Sequence, residues 1–142
     1  MGKKRIIKKS GGPSATTARA LARVPKQKVF AGTLTVQATF NNTICSLCDQ
    51  KGNLLLQASA GAIGFSGSRK STPFAAAKVG EILAEKAAQM GMKEAKAVIK
   101  GVGPGRESAL RGFISQGITI TSIVDKTPVP HNGPRPKKSR RV

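Results

Sequence analysis

Tryptophan and tyrosine are absent from these 142 residues, and five phenylalanines supply all the aromatic surface. A stacking platform for unpaired bases presents several rings on one face, so stacking is not the main source of affinity here. Acids are nearly as scarce: Asp49, Glu81, Glu85, Glu94, Glu107 and Asp125 are the full set. Metal-dependent cleavage of nucleic acid needs clustered carboxylates. Glu81 and Glu85 instead have the spacing of a solvated helix face, and Asp49 and Asp125 end strands without a third partner. The single histidine, His131, is thin material for acid–base work, and no Ser or Cys has a histidine nearby in sequence. The chain does not read as an enzyme. Cysteine is limited to Cys45 and Cys48, a lone C-x-x-C without a second pair, so no four-ligand metal site can be assembled. In a strand the three-residue offset sends the two side chains to opposite faces, and both read as small buried thiols. Free thiols fit a reducing compartment. No apolar run approaches membrane-spanning length, and no segment has the form of a secretory signal.

Cations fill the composition that acids leave. Lys and Arg number 25 against six acids, a net charge of +19. Nine of these cations lie in residues 1–28 and five in residues 127–142, two segments without any acid. A moderately basic body with two cationic arms is the footprint of a polyanion binder. The expected organisation is a basic arm over 1–27, one domain over 28–126 and a basic, Pro-rich tail over 127–142. The acid-free first arm also has the composition of an organellar transit peptide, but its lysine content favours a nucleic-acid arm.

Hydrophobic periodicity predicts a β-β-β-α-β-α-β order: a mixed α/β sheet with packed helices. Period two runs from Lys28 to Phe40, with Phe30, Leu34, Val36, Ala38 and Phe40 facing one way. Asn41-Asn42 makes a hairpin turn through the tolerance of Asn for positive φ, and a second strand covers Thr43 to Asp49. Lys51-Gly52-Asn53 turns the chain into a third strand, Leu54 to Ala60. Thr72 and Pro73 form the N-cap and first position of a helix with an apolar line at Ala76, Val79, Leu83, Ala87 and Met90, stopped by Gly91. A fourth strand, Ala95 to Lys100, leads to a short helix, about Glu107 to Gln116, closed by Gly117. Ile118, Ile120, Ile123 and Val124 lie in a fifth strand, apolar enough to be central. Before the first arm's Pro25, Thr16 to Val24 has a composition that turns helical on binding.

Two glycine loops, 61–72 and 101–106, each end a strand and open a helix. Backbone N–H groups and the helix dipole converge on an anion in such places. Arg69 and Lys70 flank the first; Arg106 and Arg111 follow the second. The alternative is a turn that only needs unusual φ. Two such loops on so basic a chain favour phosphate contact. Neither has the pattern of a nucleotide-binding loop, so no cofactor is expected.

Several stretches, in order, resemble the bacterial-type small-ribosomal-subunit protein eleven family. They are Gln37 to Ile44, Ser59 to Phe65, Arg69 to Ala76, Lys100 to Arg111, Asp125 to Gly133 and the terminal Arg140-Arg141-Val142. The resemblance covers about residues 28–142. It implies a structural constituent of the small subunit, set on the platform, bridging ribosomal RNA helices and helping to form the Shine–Dalgarno cleft where messenger RNA exits. Implied partners are small-subunit ribosomal RNA, family members seven and eighteen as neighbours, nearby messenger RNA and initiation factor three, with no membrane; the expected location is cytoplasmic and ribosome-bound. Carried over, the RNA contacts fall on Asn41, Asn42, Arg69, Lys70, Arg106, Arg111, His131, Asn132 and Arg135. The cations of the two arms join them on charge: Lys3, Lys4, Arg5, Lys8, Lys9, Lys137, Lys138, Arg140 and Arg141. Asn132, before Gly133, is a candidate for isoaspartate. Departures lie in the tail: Pro134 follows Asn132-Gly133 where a cysteine is usual, a single proline follows Arg135, and Ser139 interrupts the last basic run. The alternative is a free-standing architectural nucleic-acid-binding protein, with a ribonuclease third.

Overall fold

The computed structural model describes residues 24–142. Lys3, Lys4, Arg5, Lys8, Lys9 and the Thr16–Val24 stretch before Val24 lie outside the described residues. Five strands, β1 (Ala31–Ala38), β2 (Thr43–Asp49), β3 (Leu54–Ser59), β4 (Glu94–Lys100) and β5 (Thr119–Asp125), form one mixed sheet in the order β3-β2-β1-β4-β5. The two hairpin-linked pairs are antiparallel, and β1–β4 and β4–β5 are parallel. The helices are α1 (Ala60–Ile63), α2 (Pro73–Gln89) and α3 (Arg106–Ile114), with a 3-10 turn at Gly67–Ser71.

Alternation decides which face of the sheet is covered. Leu34, Val36 and Ala38 of β1, Cys45 and Leu47 of β2, Leu56 and Ala58 of β3, and Ala95, Ala97 and Ile99 of β4 are all buried in one core beneath α2 and α3. Phe113, fully buried, anchors α3 to it; burying such a side chain contributes about 1.5–3 kcal/mol. Thr33, Thr35, Ile44 and Ser46 are half-buried on the opposite face. The helices lie backbone to backbone, because a Cβ on Gly80 would collide with the Ala109 carbonyl and one on Gly112 with that of Ala77. Thr72 caps α2 as expected, its Oγ1 accepting from the Ala75 N–H at 3.3 Å.

Five expectations change. Phe30 and Phe40 fall outside β1 and are 58% and 71% exposed. The ladder stops at Ala38, because Thr39 N–H and Oγ1 both donate to the Asn42 carbonyl, at 2.8 and 3.1 Å, and turn the chain away. That turn needs no positive φ: among described non-glycine residues only Asn132 has one, at 55°. Residues 61–72 are not a plain loop but contain α1, capped by Ser59 Oγ, and the 3-10 turn. Cys45 is buried, and burial pushes its thiol up to about 12; Cys48 is only half-buried. Finally, β5 is an edge strand rather than central, with Ile123 59% and Val124 43% exposed. The reason is topological: β1 already occupies one side of β4, so the strand after α3 can only add outside.

Candidate nucleic-acid interface

The topology gathers the loops of interest at one end of the sheet. The β1–β2 hairpin tip, the end of β3, the end of β4 and the end of β5 all lie there, since Ala38 pairs with Thr43, Ile44 with Ser59 and Gln37 with Lys100. Both α2 and α3 therefore begin at this end. Ends of parallel strands facing helix N-termini are where α/β sheets bind anions.

Asn41 is exposed at the hairpin tip, while Asn42 turns its Oδ1 inward to accept the Thr43 N–H at 2.9 Å. The second glycine loop lies directly on this tip. The Gly103 N–H donates to the Ala38 carbonyl at 3.1 Å, and Cβ atoms on Gly101 and Gly103 would strike the carbonyls of Ala38 and Thr39. Gly101 also has φ +95°. These glycines are needed for packing on the hairpin, a reason that neither phosphate approach nor turn chemistry had supplied. Gly105 abuts Thr43, whose Oγ1 is buried without a hydrogen-bond partner among the described residues.

Arg106 is held by the protein itself. One guanidinium nitrogen donates to the Gly101 carbonyl at 3.0 Å and the other to the Asp125 carboxylate. Asp125 Oδ1 also accepts from Thr127 Oγ1 at 2.6 Å and from the Thr127 N–H at 2.9 Å. Thr127 Oγ1 in turn accepts the Gly101 N–H at 3.2 Å. Hydrogen bonds from Thr127, then from Arg106, hold the Asp125 carboxyl down to about 2, although it is solvent-exposed. This latch ties the glycine loop to the point where the tail leaves β5.

Other predicted residues are more dispersed. Arg69 is exposed and Lys70 half-buried in the 3-10 turn before α2. Arg111 lies in the last turn of α3, 81% exposed and 3.7 Å from Glu107 Oε2. That contact does little to occupy it. Along the exposed tail, Arg135 donates to Asn132 Oδ1 at 2.9 Å, and Asn132 holds the left-handed backbone just before Gly133. His131, Lys137, Lys138, Arg140 and Arg141 are exposed. Sequence reasoning missed Phe40 and Phe74, 71% and 65% exposed at the same end. Phe74 meets Phe65 edge to face at 6.1 Å, with the Lys78 ammonium 5.8 Å from its ring. Their only signal was position: one at a hairpin tip, one just inside a helix start. Asp49 has a purely local task, accepting from Asn53 N–H and Nδ2 at 2.8 and 2.9 Å to staple the β2–β3 turn. Those bonds lower its carboxyl below the usual range.

A family model described as ribosomal protein S11 matches residues 32–141. The small ribosomal subunit proteins uS11 of two strains of Treponema pallidum are each 50% identical over 120 residues, 84% of this chain and 95% of theirs. The small ribosomal subunit protein uS11c of Tupiella akineta is 49% identical over 120 residues, 84% of this chain and 92% of its own.

Proposed function

The chain belongs to the ribosomal protein S11 family, and on that premise we propose that it binds small-subunit ribosomal RNA on the platform of the small subunit. Membership makes it a structural, non-enzymatic protein of that subunit, with ribosomal RNA and other ribosomal proteins as partners. It is ribosome-bound, in the cytoplasm or in an organelle, since a uS11c relative is as similar as the bacterial ones.

The observation that carries the RNA reading is the convergence of hairpin tip, both glycine loops and two helix N-termini at one end of a +19 chain. Arg69, Lys70, Arg111 and Asn41 supply contacts there, and Phe40 and Phe74 offer apolar surface. His131, Asn132, Arg135, Lys137, Lys138, Arg140 and Arg141 extend the contact along the tail, with the cations of the first arm adding to it. Arg106 and Asn42 act by holding the loops that others present. Such a surface bridges RNA helices through phosphates and shape rather than base edges. The messenger exit cleft, protein neighbours seven and eighteen and initiation factor three belong to the same placement. Asn132 is the site at which isoaspartate forms, since Gly133 has no side chain to shield the amide nitrogen that attacks the Asn132 carboxamide.

Sedimentation tests this reading. The chain should run with small subunits and intact ribosomes in a sucrose gradient, and stay there at salt that strips non-specific binders. Recovery at the top of the gradient, or on DNA, would replace it with a free-standing architectural binder.

A further inference from the structure

We propose that the outer edge of β5 is a docking site for an extended, net-acidic polypeptide segment from a neighbouring protein, which adds a sixth strand. The inference rests on the reading that the chain is built into the small subunit. Residues 113–124 contain no charged side chain. Within them Ile114, Ile123 and Val124 are 43%, 59% and 43% exposed, and Ile114 and residues 117–123 line a groove between the end of α3 and β5. An edge strand leaves a row of backbone N–H and C=O groups open, and proteins ordinarily blunt it with charge, proline or a covering segment. Thr119–Val124 has neither charge nor proline, and its one irregularity is the register shift opposite Ala95/Lys96 that leaves Thr121 out of the pairing. Beyond it Ser122–Asp125 run in regular register. The opposite edge differs: Val24–Lys26 lines a groove with Leu55–Gln57 beside β3. Among the described residues nothing comparable lies on β5.

Charge selects the occupant. RNA phosphates find no cation within 113–124 to pair with, and nucleic acid has no peptide backbone to continue an open ladder. A second copy would bring another +19 against this one, and like charges oppose that association. An extended peptide satisfies the open backbone groups, and its alternate apolar side chains fill the groove. Acidic residues in it are drawn by the field of the surrounding molecule.

The experiment places a photo-crosslinking amino acid at Ile114 in the full chain and isolates small subunits carrying it before irradiation. Recovery of the labelled chain in those subunits tests the ribosomal reading separately; its absence from them would defeat that premise rather than the edge assignment. The expected product is an RNase-resistant adduct to one ribosomal protein, mapped by mass spectrometry to an extended segment. Ile123→Glu, which sets an anion on the strand edge against a net-acidic occupant, should lower its yield about tenfold, the factor that 1.4 kcal/mol produces. A crosslink to RNA, to residues 1–23 of the same chain or to a second copy overturns the proposal. So does no crosslink, or a yield indifferent to Ile123→Glu.

Discussion

Arg106 shows how a basic side chain beside a glycine loop can serve the loop itself. Its guanidinium is shared between the Gly101 carbonyl and Asp125, and Asp125 is shared with Thr127. The two roles predict opposite signs for one substitution. If Arg106 met phosphate and Asp125 merely competed for it, Asp125→Asn would remove a negative charge and tighten RNA binding. If the latch positions loop and tail, Asp125→Asn should weaken binding several-fold, as should Arg106→Ala, and the double variant should be no worse than either single one. Filter binding to a small-subunit RNA fragment reads the sign directly. The latch also has a defined pH window. A carboxyl lowered to about 2 from an ordinary 3.8 contributes stability above the higher value and loses it as pH falls through the lower. The loop–tail contact should therefore stay at full strength from neutral pH to about 4, weaken below that and open as pH falls through about 2, which the Gly101 and Thr127 amide resonances would report during an acid titration.

At the scale of elements, close packing reverses an ordinary rule. Gly80 lies mid-helix in α2, where alanine is normally better by about 0.5–1 kcal/mol. A Cβ there meets the Ala109 carbonyl and the Phe113 N–H of α3, backbone atoms that cannot swing aside. Gly80→Ala should therefore destabilise by about 1–3 kcal/mol, seen as a lower urea midpoint with unchanged slope. The same geometry explains what was legible in the sequence. Period-two and period-3.6 runs gave the order of elements, and Thr72-Pro73 and Gly91 marked the ends of α2, because those signals are local. Phe30 and Phe40 were misplaced because alternation alone cannot say where a ladder stops; the Thr39 hydroxyl decides that. β5 was misread because apolar content reports burial only when the strand's neighbours are known. The candidate site was half visible: which loops carry glycine and cations could be read, but not that Ala38, Thr39 and Thr43 demand those glycines, nor that Asp125 claims Arg106. Those partners are far away in sequence, and only the sheet order brings them together.

For the whole molecule, charge and shape divide the work of recognition. The folded body offers a cluster of loops with few free cations, while five cations crowd into Arg135–Arg141 and nine into the first 28 residues. Counterion release should make binding fall linearly with log salt, with a slope set by the number of phosphates neutralised. Removing residues 134–142 takes away five cations, so the slope should become shallower by at most about 4 for the whole set engaged on RNA. The body's contribution should behave otherwise. It depends on a preformed arrangement of hairpin tip and glycine loops, so the truncated chain should keep its preference for folded ribosomal RNA over bulk duplex while losing absolute affinity. Titrating full-length and truncated chains against both nucleic acids across a salt series separates the two terms. Parallel loss of affinity and preference would place the recognition in the tail instead, and leave the end of the sheet as its support.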